Sequence, residues 1–384
     1  MWRANRHPAA KRAHLDAFAL RPGSIPLAIG LRRLYSINRW EYYLDPPAML
    51  AHELEKAEAV KAIGSDAIPC ALLRFDPVVL PSMFGGRVEN VGGRPMIAPF
   101  LDGPREIDRL RPPGTESGIV PEVTKALRYY LDHTPEDVTV VTPPELDPFD
   151  AALLMCGSAL FTLMNDEPDL VARLLDLVTD AFIRVQSLFK SLLDEPRREK
   201  VNYLGIAMPG IRVAADALVN LSPAAIARFC WPVFGKLAQA FGGVLVHYCP
   251  SPALRYYHVM KPVLECPHVL GVCASGGVDY FDDEKNPLRL WEGKTLVGEC
   301  EIRCGGGPVT ASASTNVNRF RSRGAAGIPE WLRSDFMRLS LHGRRGLILR
   351  TAVSSVEEGR ELYALWRRSV EEASEAGAEE FAWR

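Results

Sequence analysis

Gly243-Val244-Leu245-Val246-His247-Tyr248-Cys249 is the stretch from which the fold class can be read. Its apolar run is short, β-branched and uninterrupted, the pattern of a strand buried on both faces. It follows a helical run, Pro223–Phe241, which opens on Leu221-Ser222-Pro223. There Ser222 is suited to cap the helix, and Pro223 takes the first helical position, where its missing N–H costs nothing. A second strand-like run, Val269–Ala274, comes next. A helix between two apolar strands is the unit of a parallel sheet.

The alternation continues in both directions. Eight runs read as strands: Ile25–Gly30, Ala67–Phe75, Val138–Thr142, Val201–Ala207, Gly243–Cys249, Val269–Ala274, Thr295–Cys300 and Gly346–Thr351. Helices are expected over Pro47–Ile63, Pro121–Asp132, Asp150–Met164, Pro168–Leu193, Pro223–Phe241 and Val356–Ser369. In Asp166-Glu167-Pro168-Asp169 the carboxylates favour a helix start through the macrodipole. Eight strands alternating with helices predict an α/β fold, a single (β/α)8 TIM barrel spanning 1–384. Residues 1–13 read as a flexible lead-in. The Gly- and Pro-rich segment 76–121, with Phe84-Gly85-Gly86 inside it, reads as a long loop over the barrel mouth, and Gly305–Pro329 as a second irregular stretch.

Composition agrees with this reading. A chain of 384 residues that is 47% hydrophobic and 24% charged can bury a large core. A net charge of −2 offers no general attraction to nucleic acid or to an anionic membrane, so a small-molecule substrate or a protein partner is expected. Without an apolar signal core or a membrane-length run, the expected location is cytoplasmic, where the eight cysteines stay reduced. Cys70, Cys156 and Cys230 sit among apolar neighbours and read as core residues.

Barrel enzymes react at the C-terminal ends of their strands, which directs the search for chemistry. His247 and Cys249 are two apart on one strand and therefore share a face, a two-point clamp for zinc. The following strands end in Val272-Cys273 and in Glu299-Cys300-Glu301-Ile302-Arg303-Cys304. Cys300 is the preferred third ligand and Cys304 the alternative. One zinc per chain held by such a set would turn a thiol substrate into a thiolate nucleophile; the competing reading is that these cysteines only pack. Asp66 and Glu145 are carboxylates suited to acid or base work, and Asp147 to a cap or to chemistry. Arg32, Arg33 and Arg39 follow the first strand and suit substrate carboxylates. Asp216 and Asp279 follow strands and read more readily as loop residues.

The ordered series Leu146-Asp147-Pro148-Phe149-Asp150-Ala151-Ala152, Gly157, Asn165-Asp166-Glu167-Pro168-Asp169, Leu221-Ser222-Pro223 with Phe229 and Pro232, and Gly346-Leu347-Ile348-Leu349 resembles the uroporphyrinogen decarboxylase superfamily. The resemblance runs from His14 to the final helix. It implies a barrel with Phe149 at the substrate, in the family's Gly-Pro-Phe motif, whose glycine is here Asp147. It also implies one of two chemistries: cofactor-free decarboxylation of porphyrinogens, or zinc-dependent methyl transfer with corrinoid proteins. True decarboxylases carry an Arg-Gln-Ala-Gly-Arg core. Gly30-Leu31-Arg32-Arg33-Leu34-Tyr35-Ser36-Ile37-Asn38-Arg39 keeps the arginines without the spacing. The methyltransferase branch carries His-x-Cys on the fifth strand, matched by His247 and Cys249, and a cysteine after the last strand. Here that position reads Arg350-Thr351-Ala352-Val353-Ser354-Ser355. Cys300, Cys304 or Glu299 would have to replace it, or the site holds no metal. The expectation is a methyltransferase whose corrinoid comes on a separate carrier protein, since the chain has no Asp-x-His-x-x-Gly stretch. A polycarboxylate or porphyrin decarboxylase is the alternative, and a corrinoid- or tetrapyrrole-binding barrel without turnover the third. The sequence leaves a homodimer open.

Overall fold

The computed structural model describes residues 2–32, 40–75, 77–143, 146–249, 257–274, 286, 289–300, 302–303, 323–324 and 327–381. Eight of its strands run in barrel order: β1 (Leu27–Leu31), β2 (Cys70–Leu72), β3 (Thr139–Val141), β4 (Ile211–Ala214), β5 (Val244–Tyr248), β6 (Val269–Ala274), β7 (Thr295–Glu299) and β8 (Gly346–Val353). Six form one parallel sheet in the order β1-β8-β7-β6-β5-β4, and β2 pairs with β3, also in parallel. Single contacts span the two gaps in the ladder. Leu146, after β3, bridges Ala214 of β4 in parallel, and the Asp66 amide, before β2, donates to Leu27 O of β1 at 3.2 Å.

The expected fourth strand is misplaced. Val201–Ala207 folds as the turn of an antiparallel hairpin, Glu199–Val201 with Ala207–Pro209. The reason is local: the Asn202 side chain accepts from the Leu204 amide at 2.9 Å and closes the turn. The true β4 begins after Gly210, whose φ of +77° belongs to the left-handed region and whose Cβ would lie 2.2 Å from Gly243 O. Arg212 in the middle of Ile211–Ala214 disguises this strand as a polar segment.

Alternation along the strands makes two layers. Ala28, Leu245, Cys273, Val297 and Ile348 point inward and pack with Ile206 and Met208 of the hairpin. The opposite strand faces join the larger core beneath the helices. The segment expected to be a flexible lead-in is instead ordered: Pro8–Phe18 is a helix, Trp2 and Ala4 are buried, and Ala17 packs beneath the interior layer. His14 on this helix accepts from the Ala207 amide at 3.2 Å, and burial pushes its pKa down to about 3. The segment 76–121 holds a short helix Val79–Met83, an antiparallel hairpin Val88–Val91 with Arg94–Ile97, and a helix Pro104–Arg109.

Helix starts follow the local chemistry. Ser222 accepts from the Ala225 amide at 3.2 Å and Asp147 from the Phe149 amide at 2.8 Å. The helix expected over Asp150–Met164 is two, Pro148–Cys156 and Ala159–Asp166, bent by 107° at Gly157. A π turn, Ile226–Cys230, interrupts the helix after Pro223 just before Pro232. Among the described residues no single helix is long and apolar enough to cross a membrane.

Candidate metal and substrate site

β5 delivers His247 and Cys249 to the C-terminal end of the barrel, His247 buried and Cys249 exposed. The imidazole Nε2 and the thiol Sγ are 3.6 Å apart. The next strand over places a third donor beside them. Two residues beyond the end of β4, Asp216 opens a 3-10 turn, Asp216–Asn220, and its Oδ1 accepts from the Cys249 amide at 2.9 Å. Donor atoms of Asp216, His247 and Cys249 all lie within 4.8 Å of one another.

This donor set fits a divalent metal. Tetrahedral zinc, with sulfur at about 2.3 Å and nitrogen at about 2.0–2.1 Å, holds those two atoms about 3.6 Å apart, the separation found between Cys249 and His247. The electrostatics suit the imidazole as a ligand. Burial, and next the charge of Arg212, hold the His247 pKa well below its ordinary value, so the ring is neutral and keeps a lone pair to offer.

A scaffold of hydrogen bonds lies behind the three donors. The Ala215 amide donates to His247 O at 2.7 Å, and the Asp147 amide to Ala214 O at 2.8 Å. Asp150, on the first turn of Pro148–Cys156, accepts from the Ala217 amide with both carboxylate oxygens at 3.2 Å. Asp147 and Asp150 are both buried. Burial raises the Asp147 pKa to about 7; burial and then the neighbouring Asp147 raise that of Asp150 well above the carboxylate range. Near neutrality the pair therefore retains a proton.

Two buried cations meet the hairpin Glu199–Pro209. Arg212 on β4 stands in register with inward-facing Leu245, its guanidinium 4.8 Å over the Tyr203 ring and 3.3 Å from the Tyr203 hydroxyl. Lys200, opposite Met208 in the hairpin, donates to Thr142 Oγ1 at 2.6 Å. Neither was singled out in the sequence, because each sits in a run that lacks strand periodicity.

Several expected site residues lie elsewhere. Asp66 is at the N-terminal end of the strands, away from the mouth, where it accepts from the Leu27 amide at 2.9 Å and the Tyr363 hydroxyl at 2.7 Å; it is a structural tie, not an acid or base for the site. Phe149 is wholly buried in the outer core beneath its helix and offers no surface to substrate. Cys300 is buried in the same outer core as Leu296, whereas Val297 points inward; it lies out of phase with the barrel interior and is not in the Asp216, His247 and Cys249 group. Cys273 packs in the interior layer. Arg32 reaches the rim, donating to Ala352 O at 3.3 Å. Arg33, Arg39, Glu145, Cys304, Asp279 and the side chain of Glu299 lie outside the described residues. Burial pushes the thiols of Cys70 and Cys156 up to about 11, and that of Cys230 upward as well, so they are neutral.

Comparison with known proteins finds similarity in part of the sequence and in the fold. No curated protein matches the chain by sequence. A solved structure of a methyltransferase from Methanosarcina mazei shares the fold at 15% identity and a TM-score of 0.55, over 94% of this chain and 98% of that one. Residues 32–189 match the family model "Uroporphyrinogen decarboxylase (URO-D)". That match covers the segment before and along β2, β3 and the helices after them, less than half of the chain, and over it the chain is similar to that family.

Proposed function

We propose that this chain is a methyltransferase of the superfamily that passes a methyl group from a corrinoid, carried by a separate protein, to a small thiol. The observation that carries the reading is the pair of donors on β5, His247 Nε2 and Cys249 Sγ, set 3.6 Å apart where barrel enzymes react. The solved methyltransferase of the same fold supports it. When bound, zinc would lower the pKa of the acceptor thiol and hold it as a thiolate at neutral pH. His247 and Cys249 would hold that zinc. Burial and Arg212 keep His247 in its neutral, ligating form, and the Ala215 amide on His247 O fixes the end of β5.

The test is loss of the methyl–cobalt absorption of methylcobalamin, with the protein and a panel of small anionic and neutral thiols. Thiol-dependent demethylation that Cys249→Ala abolishes supports the reading, and its absence with every thiol overturns it. The match of residues 32–189 to the family model "Uroporphyrinogen decarboxylase (URO-D)" favours a second reading, cofactor-free decarboxylation of a polycarboxylate. Release of carbon dioxide from a porphyrinogen by the protein would select it over methyl transfer. Corrinoid binding without turnover in either assay would select a binding barrel.

A further inference from the structure

We propose that Asp216 supplies the third protein ligand of the site, giving nitrogen, sulfur and carboxylate oxygen in place of the cysteine expected after the last strand, and that Asp150 is the residue that positions it. The inference rests on the metal reading above.

Three observations carry it. Among the described residues, Asp216, His247 and Cys249 are the His, Cys, Asp or Glu side chains whose donor atoms come together within 4.8 Å. Asp216 is already docked on the clamp, since Oδ1 accepts from the Cys249 amide at 2.9 Å and that bond leaves the second carboxylate oxygen free to turn toward a metal. Its competitor Cys300 faces the helix layer, in the outer core with Leu296.

The loop that presents Asp216 is fixed from both sides. The Ala215 amide is tied to His247 O at 2.7 Å, and the Ala217 amide to both oxygens of Asp150 at 3.2 Å. Asp150 is 7% exposed and anchored in the first turn of Pro148–Cys156, so it acts on the ligand through one residue of backbone. This is the work of an outer carboxylate at a metal site, where loss of the supporting group costs about 10–100-fold in affinity. One carboxylate therefore donates to the metal while a second, buried one sets its place.

The experiment is titration of metal-free protein with Co2+, read by absorption. Thiolate-to-cobalt charge transfer reports the sulfur ligands, and the visible bands report the geometry. Wild type is expected to show the charge transfer of one thiolate. Asp216→Cys should raise that intensity about twofold by adding a second sulfur ligand. Asp216→Ala should weaken binding by about tenfold or more, and Asp150→Ala by about 10–100-fold with unchanged charge-transfer intensity. Asp150→Asn, which keeps one acceptor oxygen for the Ala217 amide, should recover part of the Asp150→Ala loss. Cys300→Ser should leave the spectrum intact. Wild-type affinity in Asp216→Ala, unchanged charge transfer in Asp216→Cys, or its reduction in Cys300→Ser would overturn the assignment of Asp216, even with the metal lost in His247→Ala. Full affinity in Asp150→Ala would overturn the positioning role. No Co2+ binding by wild type would instead overturn the metal reading, and this inference with it.

Discussion

Replacing Asp66 by alanine tests whether the carboxylate at the start of β2 holds the barrel together or takes part in its chemistry. The side chain is buried and accepts two hydrogen bonds, from the Leu27 amide at 2.9 Å and the Tyr363 hydroxyl at 2.7 Å, so it joins β1, the approach to β2 and the C-terminal helix Val356–Phe381. A hydrogen bond to a charged group contributes about 1.5–3 kcal/mol, and the Leu27 amide would be left buried without its acceptor. Against that stands relief of the burial that raises the Asp66 pKa. The balance is a loss of about 2–4 kcal/mol. With an unfolding entropy of about 2.1 cal/mol/K per residue, this corresponds to a Tm lower by roughly 3–5 °C. Tyr363→Phe keeps the Leu27 bond and should cost about 1 kcal/mol. Thermal unfolding of both variants and of the pair gives the coupling between the two residues, while metal content and demethylation rate are measured on the same samples. Asp66→Ala with wild-type Tm but abolished activity would refute the structural assignment and return Asp66 to the active site.

The Asp147 carboxyl has its pKa raised to about 7 by burial, so its folded value lies above its unfolded one. The associated stability is complete in acid below the ordinary carboxylate range and is lost as pH rises through about 7. Asp147→Asn should therefore flatten the fall in stability between pH 5.5 and pH 8, seen in urea unfolding at each pH; an unchanged slope would place the titrating group elsewhere. Phe149→Ala empties a wholly buried core position and should cost about 3–5 kcal/mol, with KM for the acceptor unchanged in the folded fraction. A raised KM with little loss of Tm would put Phe149 at the substrate after all. Gly210→Ala forces a side chain onto a φ of +77° with its Cβ 2.2 Å from Gly243 O, and should lower Tm and metal affinity together because Gly210 leads into β4. An unaffected variant would argue against that start for β4.

Seven of the eight barrel strands were legible because a parallel strand buried on both faces leaves an uninterrupted apolar run, as in Val244–Tyr248 and Gly346–Val353. The fourth was hidden by Arg212, a charge that the barrel interior accommodates over the Tyr203 ring, while Val201–Ala207 looked like a strand and is a hairpin turn. That displacement also made Asp216 read as a loop residue, since it stands two residues beyond the true end of β4 and many more beyond the false one. His247 and Cys249 were legible because a period of two puts them on one face. The same period, applied to Val297 and Cys300, points the cysteine to the outer core. Asp150 could not be found this way, since its role depends on a helix start meeting a loop more than sixty residues later, at Ala217. The catalytic reading of Asp66 failed on strand polarity, as the residue precedes its strand and barrel chemistry follows it.

Zinc content by elemental analysis, on wild type purified without chelator and on His247→Ala, tests the central claim most directly. The account predicts about one zinc per chain in wild type and loss of that zinc in the variant. No zinc in either protein, or equal zinc in both, would contradict it.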